Sequence, residues 1–304
     1  MLERSLKMET INSLPAEKSI LRKKGRTLDQ VAYFFIYLSA AVSVVLLAGI
    51  IGYVFYKGLS SVSFEFLTTV TSAVKGTTGI AGNIVNTLYI IVITLILATP
   101  IGIGSAIYLN EYAKPGKLVR LIEFTTEILA GIPSILYGLF GMVFFGINLW
   151  FGYSILTGSL TLTLMILPLI TRSTQEALKT VPLSYRSAAL GLGTTKWHMI
   201  RTVLLPSAMP GIITGVILAI GRIVGESAAL LFTAGSGYYL PKNGQFLSKI
   251  MESGGTLSVQ LYLSMSKGQY ETAFGIAVIL LMIVLLINLT TKLLTKRLSV
   301  TNRK

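Results

Sequence analysis

The sequence contains no cysteine, so a disulfide framework, a thiolate metal site and a cysteine nucleophile are all excluded. Histidine occurs once, at His198, which argues against a histidine metal cluster or a histidine general base. Charged residues make up only 12% of the chain, against 53% hydrophobic. Nothing matches G-x-x-x-x-G-K-[ST], so the chain has no loop of that kind to cradle the phosphates of ATP. Ser134 follows Ile132 and Pro133, but no G-x-S-x-G elbow surrounds it and no catalytic residue is assigned. The net charge of +14 raises nucleic acid as a partner, yet so apolar a chain cannot supply the solvated basic face that nucleic acid requires.

What the sequence does have is long apolar runs, with a mean hydropathy of +0.73 over 304 residues. Crossing about 30 Å of hydrocarbon takes roughly 20 helical residues, because in lipid each backbone polar group must find its partner inside the segment. Runs of that length lie near Val31 to Tyr56, Ile84 to Leu109, Leu121 to Phe145, Tyr153 to Ile170, Val203 to Phe232 and Thr272 to Leu294. They predict an all-α, polytopic membrane protein with six transmembrane helices and both termini on one side. Residues 1–30 read as a retained cytoplasmic tail, 31–294 as the membrane domain with an inner loop at 171–206, and 295–304 as a second cytoplasmic tail.

Charge placement sets the orientation. With both tails inside, the inner segments hold Arg4, Lys7, Lys18, Arg22, Lys23, Lys24 and Arg26, then Lys114, Lys117 and Arg120, then Arg172, Lys179, Arg186, Lys196 and Arg201, and finally Lys292, Lys296, Arg297, Arg303 and Lys304. The outer loops hold Lys57, Lys75, Lys242, Lys249 and Lys267, a bias that follows the positive-inside rule. Glu123 and Glu127, beside Arg120, read as an inner-face cluster whose side chains reach out to water.

Two connections are long. The outer one, about Gly235 to Glu271, contains TLSVQLYLSMS, which is too short to span and reads as an interfacial helix or strand. The inner one, Thr171 to Thr202, is polar but helical in character. Thr180, Val181 and Pro182 interrupt one helix, Ser184 is placed to cap the next, and Gly191 with Gly193 can end it.

The stretch EALKTVPLSYRSAALGLGTTKWHMIRTVLLP, Glu176 to Pro206, resembles the coupling loop of bacterial ABC-importer permeases. Its pattern of Glu-Ala-Ala, three residues, Gly, nine residues, Ile, one residue and Leu-Pro is met by Ser187, Ala188, Ala189, Gly193, Val203, Leu205 and Pro206, with serine for glutamate and valine for isoleucine. The short helix would carry small residues into a groove on a partner, and glycine would turn the chain back toward the membrane. LATPIGIGSAIYLNEYA, EILAGIPSILYGLFG, LPLITRSTQEALKTVP and GRIVGESAALLFTAG are similar to one branch of these permeases, the A-type subunits of phosphate importers, over roughly Gly79 to Thr233.

Within that last stretch Arg222 and Glu226 stand inside an apolar run. Arg222 lies about 14 residues, or roughly 21 Å, beyond Ala208. An arginine at such depth costs at least about 2.5–3.5 kcal/mol on insertion scales and is expected to face a bundle interior or a wet cavity. Glu226, one turn on, is expected on the same face. Two readings stay open: a buried ion pair that pins spans together, or an anion pathway in which the guanidinium binds phosphate bidentately and Glu226 orients it or accepts the phosphate hydroxyl. The resemblance implies a translocation role for this arginine. Gly211 and Gly215, then Gly221 and Gly225, repeat a four-residue spacing that lets helices approach closely, and are expected at a helix or subunit interface. Pro206 and Pro210 would set how this span begins.

The resemblance implies a type I ABC-importer permease fold with a cytoplasmic coupling helix, no cofactor or metal of its own, and ATP used by a partner. Expected partners are a homologous C-type permease subunit, two ATP-binding subunits, an extracytoplasmic phosphate-binding protein and the lipid of the bacterial plasma membrane, with Ser184, Ser187, Ala188, Ala189 and Gly193 at the ATPase contact. Rival readings are a permease for sulfate, molybdate or phosphonate, and a membrane component that signals phosphate status.

Overall fold

The computed structural model describes residues 27–72, 76–241 and 247–298. The expected tails fall largely outside them: residues 1–26 and 299–304 are not described. Two compact units divide the chain at Tyr53 and Val54. The first is nearly all of helix α1, Thr27–Gly58, whose apolar residues are spread around every face. Such an unsided apolar helix suits lipid on all sides.

The second unit opens with the short helix α2 (Phe64–Thr68) and an antiparallel pair of strands, β1 (Val70–Ser72) and β2 (Thr77–Ile80). Helix α3 (Ala81–Ile107) follows and continues as a wide π turn, Tyr108–Tyr112. Next come α4 (Lys117–Gly131) and α5 (Ser134–Gly141), the latter extended by a π segment, Met142–Asn148. The long α6 (Ile155–Lys179) leads to α7 (Leu183–Gly191) and α8 (Lys196–Met199). A π segment, Ile200–Leu204, joins α8 to α9 (Leu205–Gly225), and α10 (Ala228–Thr233), α11 (Leu257–Ser266) and α12 (Tyr270–Leu298) complete the unit.

Among the described residues five helical stretches are long and apolar enough to cross a membrane, Asp29–Ser61, Ala81–Tyr112, Ile155–Lys179, Lys196–Gly225 and Tyr270–Leu293. The expected third span, Leu121 to Phe145, is instead broken: Lys117–Gly131 and Ser134–Asn148 meet at 101°. Pro133 is the cause. It has no N–H to donate, and it holds the preceding Ile132 extended at ψ 131°. The Tyr137 hydroxyl donates to Leu129 O at 2.7 Å across the bend, so a carbonyl freed by the break keeps a partner.

Helix α6 is the axle of the unit. A Cβ added at Gly102 of α3 would lie 2.7 Å from Ile170 Cγ2, and one at Gly141 of α5 would lie 2.0 Å from Thr161 Oγ1. On α9, Gly211 and Gly215 sit against Ala177 and Ser173, where an added Cβ would stand 2.6 and 2.5 Å from their Cβ atoms. The first pair of the expected glycine spacing is thus a helix contact inside the chain. Gly221 and Gly225 differ: they are exposed, with nothing within 4 Å of an added Cβ. Around α6, the fully buried Ile90, Ala98, Leu162, Ile166, Ala219 and Leu230 form the main core.

At the end away from α7, buried polar side chains hold irregular backbone. Asn83 Nδ2 donates to Gly255 O and Asn86 Nδ2 to Gly237 O, each at 2.9 Å, while Leu257 N–H donates to Thr87 Oγ1 at 3.0 Å. The TLSVQLYLSMS segment forms α11, capped by Thr256, and its Leu257, Ser258, Val259 and Ser264 are buried against neighbouring helices.

Overpacking the α6–α9 contact is expected to destabilise the chain by about 1–3 kcal/mol. Gly215→Leu should therefore lower its melting temperature in detergent, whereas Gly221→Leu should leave it unchanged. Thermal scanning fluorimetry of the purified variants measures both.

Candidate functional site

Helix α9 runs antiparallel to α6: Gly211 meets Ala177 and Gly215 meets Ser173. Continuing that step brings Ala219 and Arg222 toward Leu169 and Met165. Arg222 duly lines a small cavity of about 130 Å³ with Ala130, Met165, Pro168, Leu169 and Arg172. Its side chain is exposed on the surface of the single chain.

The pairing of Arg222 with Glu226, one of the two readings left open, is not formed among the described residues. The span does not continue as one helix to Phe232; α9 ends at Gly225, and Glu226 is extended at φ −78° and ψ 118°. The reason is local. The Glu226 carboxylate turns forward to accept the Ala229 N–H at 3.1 Å, and its backbone oxygen accepts the Ser258 hydroxyl at 2.7 Å. A carboxylate at that position satisfies a free amide at the start of α10. It is then off the face that carries Arg222, and no ion pair joins the two among the described residues.

Arg172, on α6, is the site residue that sequence reasoning missed. It lines the Arg222 cavity and also a cleft of about 350 Å³ formed with Leu109, Glu123, Thr126, Glu127, Gln175, Glu176 and Lys179. The two arginines thus stand on one continuous wall that leads from α9 toward the α7 end of the bundle. Arg172 Nη2 lies 2.9 Å from Glu127 Oε1, with the side chains 45% and 67% exposed. A pair so open to solvent is worth at most about 1 kcal/mol, and an incoming anion can displace the carboxylate. Glu127 therefore does more than reach for water as expected; it pairs with Arg172.

In the inner loop, α7 starts at Leu183 directly after Pro182 at ψ 139°, so Ser184 lies within the first turn rather than capping it. Proline's fixed φ suits the entrance to a helix, and the Pro182 carbonyl accepts the Tyr185 N–H at 3.1 Å. Ser184, Ser187 and Ala188 are exposed and Ala189 is buried, packed in a cluster with Ile107, Leu178, Met199, Ile200 and Leu204. Gly193 adopts φ +78°, the left-handed turn that glycine allows, and its N–H donates to Leu190 O at 2.9 Å. Leu183, Tyr185, Leu190, Leu192 and Trp197 surround this loop as exposed large apolar side chains.

Inside the same loop, Arg186 reaches back into the bundle. Its Nη2 and Nε donate to Glu111 Oε1 at 3.0 and 3.3 Å, with side chains only 16% and 7% exposed. Removing one partner of a pair this buried costs about 3–5 kcal/mol. No local sequence signal announces it, since Arg186 and Glu111 are 75 residues apart.

Residues 98–300 match the family described as binding-protein-dependent transport system inner membrane component. The chain belongs to this family. It is 42% identical over 207 residues to a probable ABC transporter permease protein, YqgI of Bacillus subtilis, covering 68% of this chain and 70% of that one. It is 33% identical over 286 residues to the phosphate transport system permease protein PstA of Mycobacterium leprae, covering 90% and 92%. The corresponding PstA of Xylella fastidiosa is 32% identical over 246 residues, with 81% and 85% covered. Among solved structures, a bacterial alginate ABC transporter in complex with a pentasaccharide-bound periplasmic protein aligns with a TM-score of 0.60 at 15% identity, over 98% of this chain and 97% of that chain. The methionine transporter MetNI, in inward-facing conformations, aligns with a TM-score of 0.55 at 20% identity, over 72% and 94%. The fold is that of type I ABC-importer permeases, and the protein is a multi-pass membrane component.

Because Arg222 and Glu226 are separate in this permease, their contributions to stability should add. In Arg222→Met, Glu226→Ala and the double variant, melting should give a coupling within about 0.5 kcal/mol of zero. Glu226→Ala alone should cost about 1 kcal/mol through loss of the cap.

Proposed function

We propose that this chain is the A-type permease subunit of an ATP-driven importer that moves inorganic phosphate across the bacterial plasma membrane by alternating access. The observation that carries the reading is the wall shared by Arg222 and Arg172. Two guanidiniums along one open surface suit an oxyanion. Each offers a planar fork of donors that matches phosphate geometry, and the exposed Glu127 gives up Arg172 at little cost. A second permease subunit of the C type would close the far side of this wall and shield Arg222 from lipid. The names of the relatives support phosphate as the cargo.

In this proposal the importer has two ATP-binding subunits, and one of them docks on α7 and its exposed apolar surround, with Ser184, Ser187 and Ala188 facing it, Ala189 seating the helix and Gly193 turning the chain back. An extracytoplasmic phosphate-binding protein delivers cargo at the opposite end. The chain carries no cofactor and hydrolyses nothing itself; ATP is consumed by its partners. Both termini lie in the cytoplasm, which the distribution of lysine and arginine supports. Glu226 enters as the residue that ends α9 and caps α10, since it lines neither cavity.

The test is uptake by the complex reconstituted in vesicles. Arg222→Lys keeps the charge but loses the fork, and should lower phosphate flux at least about tenfold, equivalent to roughly 1.4 kcal/mol of barrier. Arg172→Gln should lower flux less. Full flux in Arg222→Lys refutes bidentate anion contact. Uptake of sulfate or molybdate in place of phosphate, with the matching binding protein, refutes the cargo.

A further inference from the structure

The outer surface of α7 faces outward and carries little that ties the helix to the bundle. Ala189 is buried, and beyond it the strongest attachment is Arg186. Its guanidinium makes a set of bonds that reach two separate elements. Nη1 donates to Val181 O and Nη2 to Leu178 O, each at 3.0 Å, at the C-terminal end of α6. The last carbonyls of a helix lack partners within it and carry the negative end of its dipole, so a cation there is doubly favoured. The remaining donors go to Glu111, in the π turn that ends α3.

The π turn puts the carboxylate where it is. A π turn inserts an extra residue into the helical register, which rotates the following side chains by about 100° relative to an uninterrupted α-helix. Glu111 is further fixed from its own side: Asn110 Nδ2 donates to its Oε1 at 2.7 Å, and Lys196, at the start of α8, donates to its backbone oxygen while lying 5.0 Å from the centre of the Tyr112 ring. A largely buried carboxylate that accepts from Asn110, sits on a backbone held by Lys196 and is met by a planar fork has little freedom to slide. The Arg186–Glu111 pair therefore joins the ends of α3 and α6, two helices long and apolar enough to span the membrane, to α7.

We propose that this pair is the linkage through which a displacement of α7 is delivered to α3 and α6, with Arg186 and Glu111 as positioning residues for transport. This rests on the reading of α7 as the ATPase contact. Without the pair, α7 would still dock on its partner but would move on its own, and hydrolysis would proceed without rearranging the spans. The linkage is distinct from the Arg222 wall and needs no contact with cargo.

The chain has no native cysteine, so labels can be placed at will. In the assembled complex, with cysteine-free partners, spin labels at cysteines replacing Gly191 at the end of α7 and Lys114 just past the π turn report the distance between the two elements. With the pair intact, that distance should be narrowly distributed and the same with and without bound ATP. In Arg186→Met and in the isosteric Glu111→Gln it should broaden and become nucleotide-dependent. Phosphate moved per ATP should fall at least about tenfold in Arg186→Met and less in Arg186→Lys, with hydrolysis unstimulated by cargo held within about twofold. The proposal is overturned if both variants keep the narrow distance and full coupling. It is equally overturned if they merely lower the yield of complex, so that what assembles couples normally. The label distances decide even where the intact complex fails to respond to phosphate, an outcome that would refute the cargo and not the linkage.

Discussion

The close seating of helices on α6 is the constraint from which the rest of the structure follows. Lipid tails are as apolar as the side chains they meet, so no hydrophobic drive pulls one span toward another, and close packing must hold them. Gly102, Gly141, Gly211 and Gly215 each touch α6 at a distance no Cβ would tolerate, and Gly158 of α6 itself receives Ala234 and Leu230. The contacts at Ala177 and Ser173 set the antiparallel register of α9. That register, two turns further along, is what carries Arg222 to the level of Met165 and Leu169 and onto a cavity shared with Arg172.

A second constraint acts where helices stop. Irregular backbone is tolerable at membrane depth only where protein supplies the missing partners. At the 101° break before α5, Tyr137 serves a carbonyl of α4; at the end of α9, Glu226 serves an amide of α10; at the far end, Asn83 and Asn86 serve the carbonyls of Gly255 and Gly237. In each case a polar side chain supplies the partner that the irregular backbone lacks. Glu226 illustrates how such a residue misleads. Its spacing from Arg222 satisfies the helical pairing rule, but the carboxylate ends the helix on which that rule depends.

Much of the architecture is legible in the residues alone. Apolar runs of sufficient length mark the spans, because the bilayer imposes the length directly. The glycines at 211 and 215 mark a contact, since few other residues allow it, and the turn at Gly193 follows from the same freedom of φ. The break at Pro133 had a visible signal, yet proline is common enough in membrane helices that composition alone does not separate a kink from a stop. The ion pairs were not legible. Glu127 and Arg172 come from different helices, as do Glu111 and Arg186, and Arg172, Arg186 and Glu127 each read as an ordinary inner-face charge. Only the register of α3, α4 and α7 against α6 brings them together, and that register is a property of packing rather than of any window of sequence.

The two pairs differ in a way that sorts their roles. Arg172–Glu127 is exposed on the surface of the single chain, and where water fills the cleft its Coulomb attraction is offset by screening and its carboxylate can be exchanged for another anion. Arg186–Glu111 is nearly closed to solvent and held by two main-chain carbonyls as well, so separating it would strand charges in a medium that does not solvate them. Both arginines act on the same helix. Arg172 lies six residues before Leu178, roughly 9 Å along a stiff rod, so whatever moves the end of α6 moves the wall of the cleft with it. In the proposed importer, an exchangeable contact at the cleft and an unexchangeable one at the helix end would let cargo be released without releasing the drive.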